Sequence, residues 1–513
     1  MKLTLVFPPP SENYSEVIWS DKEVPNPPQT APTILGTYVQ KHASAPIDVL
    51  CIPTQTVERG IARYFNLTEI TTLCQGSDIV GLTCLYNNQE SAIELACLIK
   101  KENPSATIVL GGQNVSSKHM ARLILNQVPE IDYIVIGSGE EALLSIVEQR
   151  PPSTCPNLTF RNANGEIQFT KKKLVDLNEL PSWNYDNTLG ANDLLESYDA
   201  RTELYAQNTR KYQGRTLGEI GVFSRKGCPK IDGEIGNKKG PCAFCTSARE
   251  ISCLMSPENF WRQIEILNRR YGIQDFFIAD NVFGVTIERL TSFVKARHLF
   301  NIPKDVRFRA YTYPEIINSK DGVEIIHLLR KVGISNIFLG VETFNPEISQ
   351  RANKDPVPFS LVDQAIKRLT QAGMDVFISI MPGLPGESKK TLEHNLDCLK
   401  MLLKTYGSKT YERGHLTRVD ISPAMPIVGT AWFHALQNDN SVCNKYFQQT
   451  GRKLETELHP DFDLLRALSL ERDHADITEK DIQISALKAK KMCLQYLKSE
   501  MIGGFDLRTT DLD

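Results

Sequence analysis

The chain has 513 residues, 41% of them hydrophobic and 23% charged, with a net charge of -3. That is the balance of a soluble globular chain of about three domains. So little net charge gives no electrostatic ground for nucleic acid or an anionic membrane as partner, and no apolar run approaches the ~18 residues of a membrane span.

The opening "MKLTLVFPPPSENYSE" lacks a signal-type apolar core and cleavage site. It reads as the first buried strand of a cytoplasmic protein. Short apolar segments then alternate with helical patterns. "KLTLVFPP" leads into helical "APTILGTYVQKHA", and "IDVLCIP" into "VERGIARYF", read as helical. "DIVGLTCL" precedes "NQESAIELACLIKKENP", "ATIVLGG" precedes "KHMARLILNQVP", and "DYIVIGSGEEALLSIVEQ" ends the series. Continuously apolar strands in βα alternation predict a doubly wound α/β domain over residues 1–150, its parallel sheet covered on both faces. Ligands of such sheets sit beyond the carboxyl ends of the strands. The residues there are Pro9, Thr54, Thr83, Gly111, Gly112, Gln113, Gly137, Gly139 and Glu140. For any one glycine, a tight turn is the competing explanation.

Residues 151–217 read as a connector, with a hairpin turning at Asn164–Gly165. A second βα series follows. Its strands are "EIGVFSRKGCP", "DFFIADN", "VRFRAYT", "ISNIFLGVET", "MDVFISIMPG" and "RVDISPAMP". Six βα units predict a partial, open (β/α)6 barrel over 218–435 with its site at the strand carboxyl ends. Residues 436–513 read as a helical region that stops at Gly503–Gly504.

Three of the 12 cysteines cluster: Cys228, Cys242 and Cys245, with Cys253 nearby. The rest, among them Cys51, Cys84, Cys97 and Cys398, lie in apolar runs and read as small buried hydrophobes. In a reducing compartment such a cluster reads as metal-binding or catalytic. A structural zinc wants four closed ligands, with Cys253 the available fourth. An iron–sulfur cluster on three thiolates leaves one iron open to a further ligand. The nine histidines show no ligand spacing. Asp280 and Asn281 end the second barrel strand, so they are candidates for substrate or turn roles. Arg309 and Tyr311 share one face of the third strand, where a stacked structural pair is the alternative to a cavity role. No catalytic side chain is assigned.

"IVLGGQNVSS" and "DYIVIGSGEEAL", with Asp132, Tyr133, Gly137, Gly139 and Glu140, resemble the cobalamin-binding domain of many radical S-adenosylmethionine (SAM) enzymes. "LVDLNELPSWNYD" resembles that family's link to its catalytic domain. "GISNIFLGVETFNPEISQRANK", "GMDVFISIMPGLPGES" and "ISPAMPIVGTAWF" resemble its fourth-, fifth- and sixth-strand segments, in the same order. The resemblance covers about residues 1–435. It implies a [4Fe-4S] cluster on Cys228, Cys242 and Cys245, with SAM contacts at Phe244, Glu342, Asn345 and Ser379. Lys354 closes the fourth-strand motif, and Gly383, Gly386 and Glu387 belong to the fifth. Weak substrate candidates are Asp280, Arg309 and Tyr311. Two departures stand out. Thirteen residues separate Cys228 from Cys242 where three are usual, and Val57 stands where many cobalamin domains place a cobalt-binding histidine, with Gln55 in place of the preceding Asp.

The implied activity is methyl transfer from SAM, via methylcobalamin, to an unactivated carbon of a natural product or peptide. A non-methylating rearrangement, cyclisation or oxidation is the alternative. The implied setting is a cytoplasmic monomer served by an electron donor such as flavodoxin or ferredoxin, without nucleic acid or membrane partners.

Overall fold

A computed structural model describes residues 1–11, 29–58, 61–195, 220–236, 240–246, 252–408, 414–474, 477–497 and 502–503. Arg59, Gly60, Gly504 and the last third of the expected connector, 196–217, lie outside them. The chain forms two compact units, one built on Met1–Tyr205 with Thr216–Gly221 and Arg262–Gly272, the other on Val222–Trp261 and Ile273–Asp513.

The first unit is a seven-stranded sheet. Its parallel strands are β1 (Lys2–Val6), β2 (Asp48–Ile52), β5 (Ile79–Thr83), β6 (Thr107–Gly111) and β7 (Tyr133–Val135), in the order β2-β1-β5-β6-β7. Helix α1 (Thr30–His42) follows β1, α2 (Leu67–Leu73) precedes β5, and α3 (Gln89–Glu102), α4 (Lys118–Gln127) and α5 (Glu140–Val147) follow β5, β6 and β7. Leu3, Leu5, Val49, Val109 and Val135 join Tyr38 and Val39 of α1 and Leu143 of α5 in one apolar cluster. The alternate residues Val6, Val80, Leu82, Ile108 and Leu110 are also buried. Both faces are therefore covered, which is why these strands carry no polar/apolar alternation. At Gly36 of α1 a Cβ would stand 2.9 Å from Val49, so glycine lets this helix lie close to the sheet.

Two expectations need correction here. "VERGIARYF" is not helical. It contributes to a hairpin of β3 (Gln55–Glu58) and β4 (Ile61–Tyr64). Val57, Ile61 and Phe65 recur every four residues and mimic a helical face, but β-branched and aromatic residues about a central glycine suit a hairpin. The second correction concerns β8 (Leu158–Arg161) and β9 (Ile167–Phe169). They form the expected hairpin, with Gly165 at φ +79°, yet it extends the first sheet antiparallel to β7 instead of standing in a separate connector.

The remaining strands are β10 (Ile220–Val222), the short pair β11 (Arg225–Lys226) and β12 (Cys253–Leu254), then β13 (Asp275–Ile278), β14 (Arg307–Thr312), β15 (Ile334–Glu342), β16 (Asp375–Ile380), β17 (Leu416–Ile421) and β18 (Ile502–Gly503). The main sheet runs β10-β13-β14-β15-β16-β17-β18, parallel from β13 onward. The expected strands are present. The helices between these strands are α6 (Pro257–Tyr271), α7 (Ile287–Arg297), α8 (Pro314–Asn318), α9 (Gly322–Val332), α10 (Pro346–Arg351), α11 (Phe359–Gln371) and α12 (Lys389–Tyr406). Phe276 and Phe308 pack against Phe260 and Trp261 of α6 on the helix-covered face. Residues of opposite parity face the other way. There Tyr311, Phe338 and Phe377 form an edge-to-face ladder at 4.4 Å spacings.

The C-terminal part is helical: α13 (Ala431–Gln437), α14 (Asn440–Thr450), α15 (Phe462–Asp473) and α16 (Glu479–Tyr496). It ends differently from expectation. Helix α16 stops at Tyr496, and Ile502 and Gly503 pair with Val419 and Asp420 as the sheet's seventh strand, parallel to β17. Gly503 is thus a strand residue and not a helix stop.

Candidate active site

The chain enters the cysteine loop from β10 through Ser224–Gly227, and the end of β13 fixes this path. Asp280 accepts hydrogen bonds from the Ser224 backbone N–H (2.7 Å), the Ser224 hydroxyl (2.6 Å) and the Arg225 backbone N–H (2.9 Å). Burial pushes its carboxyl upward, opposed by these donors and by the nearby Arg289 charge. Asn281 donates to the Gly227 carbonyl at 2.9 Å, and Gly227 has φ +95°, a conformation that favours glycine. Asp280 and Asn281, candidates for substrate or turn roles from sequence, thus orient the chain just before Cys228.

The returning arm is tied to a different motif. Ala243 N–H donates to the Ala352 carbonyl (2.8 Å), Asn353 donates to the Pro241 carbonyl (2.8 Å), and Trp432 N–H donates to the Ala243 carbonyl (3.0 Å). The Cys242–Cys245 turn closes with a Cys245 N–H to Cys242 carbonyl bond of 3.0 Å. Phe244 within it is half-buried. Cys253 lies in β12, paired with Lys226. Burial pushes the Cys228 and Cys242 thiols up. All three cysteines also act on the Tyr313 phenol, which burial and these neighbours drive well above its ordinary range. The three thiols therefore share one neighbourhood.

Beside them, Glu342 ends β15 with φ +63°, a backbone position rare for a side chain with a Cβ. Its carboxylate is held at both oxygens: Lys354 Nζ at 2.8 Å on Oε1 and the Ser379 hydroxyl on Oε2. Lys354 also donates to the Gly340 carbonyl (2.7 Å) and lies over the Tyr313 ring. Burial alone would lower the Lys354 pKa, but Glu342 and Cys242 raise it, so the ammonium is retained. Asn345, expected at SAM, caps α10: its side-chain oxygen accepts from Glu347 and Ile348 N–H at 3.0 and 3.2 Å.

The fifth-strand loop, with Gly383 and Gly386 at φ +92° and +84°, is locked from below. Glu387 accepts from Gly383 and Leu384 N–H and from Asn395, whose own oxygen accepts from Thr343 and Phe344. Asn395 was not among the sequence candidates. It lies in an ordinary amphipathic helix, and only its burial in α12 marks it. Arg466 of α15, fully buried, bonds the Ala424 carbonyl (2.9 Å) and Glu479 and packs on Gly383. Arg309 and Tyr311 both meet Phe277: the Arg309 guanidinium lies 4.7 Å from the Phe277 ring centre, and Tyr311 sits edge-on to Phe277 and Phe338.

In the first unit, the parallel order places the strand carboxyl ends on one edge. Counting parallel strands only, the order is 2-1-3-4-5, which reverses between β1 and β5; ligands of doubly wound sheets bind at such a point. Asn88 bridges the loops there, donating to the Pro8 carbonyl (3.1 Å) and accepting from Leu85 N–H (2.7 Å). It, too, was not anticipated. Pro9, Thr54 and Glu140 are buried and support this edge from within; Thr83, Gly111, Gly112, Gln113, Gly137 and Gly139 are more accessible. Nothing lies within 4 Å of a Cβ built on Gly111, whereas one on Gly112 would stand 2.5 Å from the Cys84 carbonyl. Backbone is thus tightly packed at Gly112, while the Gly111 position beside it is open. Val57 sits in β3 opposite Ala62.

Residues 236–399 match the Radical SAM superfamily. This part of the chain is a radical SAM domain. The matched segment contains Cys242, Cys245, Glu342, Lys354, Ser379 and Glu387; Cys228 precedes it. A radical SAM domain implies a [4Fe-4S] cluster and SAM. Among the described residues no three His, Cys, Asp or Glu side chains converge as ligands of one metal ion would.

The chain is 22% identical over 454 residues to an uncharacterised methyltransferase of Pyrococcus horikoshii, covering 86% of this chain and 84% of that protein. It is 25% identical over 328 residues to an anaerobic magnesium-protoporphyrin IX monomethyl ester cyclase of Cereibacter sphaeroides, covering 62% of this chain and 48% of the cyclase. Two solved structures share the fold. TsrM from Kitasatospora setae, a radical SAM methyltransferase with cobalamin and a [4Fe-4S] cluster bound, gives TM-score 0.60 at 17% identity over 88% of this chain and 78% of its own. OxsB, a cobalamin-dependent SAM radical enzyme, gives TM-score 0.59 at 16% identity over 88% of this chain, which spans 57% of OxsB. The radical SAM domain and the doubly wound unit before it thus have the fold of cobalamin-dependent radical SAM enzymes. Among the described residues no helix is long and apolar enough to cross a membrane.

Proposed function

We propose that the chain is a cobalamin-dependent radical SAM methyltransferase acting on an unactivated carbon of a natural product or peptide. In this reading Cys228, Cys242 and Cys245 hold the [4Fe-4S] cluster, and the carboxyl edge of the first unit holds cobalamin without a protein imidazole from the Val57 position. The observation that carries it is the backbone bond from Ala243, inside the Cys-x-x-Cys turn, to Ala352 at the end of the Glu342–Lys354 segment. It binds the cluster loop and the residues expected at SAM into one construction.

When bound, the cluster supplies one electron to SAM, and cobalamin carries the methyl group. The chain's own residues place the reactants. Glu342, fixed by Lys354 and Ser379, offers SAM a pre-oriented carboxylate, and the Glu387–Asn395 network holds the neighbouring loop still. The Tyr311–Phe338–Phe377 ladder gives an apolar wall that excludes water. Low-potential electrons come from a donor such as flavodoxin or ferredoxin in a reducing cytoplasm.

The test is anaerobic incubation with SAM, reductant, hydroxocobalamin and candidate substrates. Methylated product, S-adenosylhomocysteine and deoxyadenosine should rise together in about equal amounts. The similarity to a cyclase supports a second reading, a non-methylating ring closure or oxidation. Deoxyadenosine with a cyclised or dehydrogenated product and no S-adenosylhomocysteine selects it.

A further inference from the structure

We propose that Lys230, carried on the thirteen-residue excursion between Cys228 and Cys242, raises the reduction potential of the cluster by holding a buried cation beside its thiolates. The inference rests on the reading that Cys228, Cys242 and Cys245 hold an iron–sulfur cluster.

Lys230 is 2% exposed, although it lies on a polar, glycine-rich loop where lysine normally reaches water. Its Nζ donates to the Gly240 carbonyl at 3.2 Å and to the Asn353 carbonyl. Among the described residues no carboxylate pairs with it. A buried ammonium satisfied only by neutral carbonyls is costly unless an anion lies within its field. Two of the sulfurs lie close along the chain: Cys228 is two residues before Lys230, and the Gly240 carbonyl that the Nζ holds is two residues before Cys242. Lys354 is the other buried ammonium near Cys242, but its charge is paired with Glu342 at 2.8 Å. Lys230 therefore brings the uncompensated positive charge.

The position also explains the excursion. Gly240 precedes the Pro241–Cys242 return, so the Lys230–Gly240 bond ties off the base of the loop. The Asn353 bond fixes that base to the turn after α10, beside the Lys354 that pairs with Glu342. A long loop closed in this way costs little more entropy than a short one.

The redox step is the addition of one electron from an external low-potential donor to the oxidised cluster, with no bond made or broken and no proton taken up. Reduction makes a thiolate-ligated cluster more negative, so a fixed neighbouring cation stabilises the reduced form.

Full-length chain, reconstituted anaerobically, is compared with Lys230→Gln, Lys230→Met and Lys230→Arg by redox titration. Iron and sulfide content are measured separately, and the reduced cluster is counted by electron paramagnetic resonance. Lys230→Gln retains a donor for the carbonyls while losing the charge. The expected result is wild-type iron in all four proteins. At a fixed poised potential, the reduced-to-oxidised ratio in the Gln and Met variants should fall about tenfold, equivalent to 59 mV for a one-electron couple. The Arg variant should stay near wild type. Unchanged midpoints in the neutral variants overturn the proposal. So does loss of iron from both neutral variants with retention in Lys230→Arg, which makes Lys230 a folding anchor. Absence of iron–sulfur cluster from the wild-type chain instead refutes the underlying cluster assignment.

Discussion

Asn395 donates its side-chain amide to Glu387 at 2.9 Å while its oxygen accepts from Phe344 N–H at 2.9 Å and the Thr343 hydroxyl at 3.1 Å. One buried side chain on α12 thus joins the loop after β15 to the loop after β16, the two segments expected at SAM. Asn395→Ala leaves several buried polar groups without a partner, a cost of about 3 kcal/mol. The variant should unfold at lower denaturant and bind SAM more weakly with its iron content largely kept. Calorimetric titration of SAM into the reconstituted variant checks it, and unchanged SAM affinity removes Asn395 from the positioning machinery.

Changing Cys228, Cys242 and Cys245 together to Ala should abolish iron binding, while Cys253→Ala should keep it. Iron and sulfide per chain are the measurement. A triple variant with full iron content and SAM cleavage refutes the assignment. Loss of iron from Cys253→Ala in an otherwise folded protein would bring that residue into the ligand set.

Asp280 is predicted to matter to the cluster without touching it. Asp280→Ala strands the N–H groups of Ser224 and Arg225 and frees the approach to Cys228. Stability should fall by about 3 kcal/mol, and cluster occupancy after reconstitution should drop. Asp280→Asn keeps an oxygen acceptor and should recover part of both. Full occupancy in Asp280→Ala would mean that Cys228 is held well enough by the loop itself.

Cobalamin bound to the first unit should show no nitrogen ligand from the protein. Electron paramagnetic resonance of the cob(II)alamin form should lack the superhyperfine splitting that a protein imidazole produces. A nitrogen splitting that changes when the protein's histidines carry nitrogen-15 contradicts the reading of Val57. Failure to bind cobalamin at all would mean that the edge keeps the fold without the cofactor.

Glu387 gives a pH dependence with a definite sign. Burial pushes its carboxyl from the ordinary 4.5 up to about 8, against the N–H groups of Gly383, Leu384 and Asn395. Between those values the folded chain holds a proton that the unfolded chain has released. The stability this group contributes is complete below about pH 4.5 and is lost as the pH rises to about 8. Relative to Glu387→Gln, wild type should therefore lose ground as pH rises across this window, by up to about 1.4 kcal/mol per pH unit. Denaturant titrations at pH 5.5, 6.5 and 7.5 measure it, and a constant difference rules the titration out.

Much of the architecture is legible in local pattern, because a strand covered on both faces and an amphipathic helix must each write burial into consecutive residues. Hence the βα order, the barrel strands, the Asn164–Gly165 hairpin and the cysteine cluster could all be read from the chain alone. Local pattern misleads where two periods coincide, as in "VERGIARYF", or where glycines suit both a helix end and a strand, as at Gly503. What only the tertiary structure decided is which polar residues face which partners. Asp280 and Ser224 are 56 positions apart, Lys230 and Asn353 are 123, and Asn395 reaches Phe344 across 51. A hydrogen bond needs its atoms within about 3 Å and in line, and no local periodicity records where a distant turn will deliver its carbonyl. Asp280 and Asn281 therefore read from sequence only as candidates for substrate or turn roles and anchor a loop in the fold, while Asn395 and Asn88, which no local pattern singles out, bridge loops at the two candidate sites.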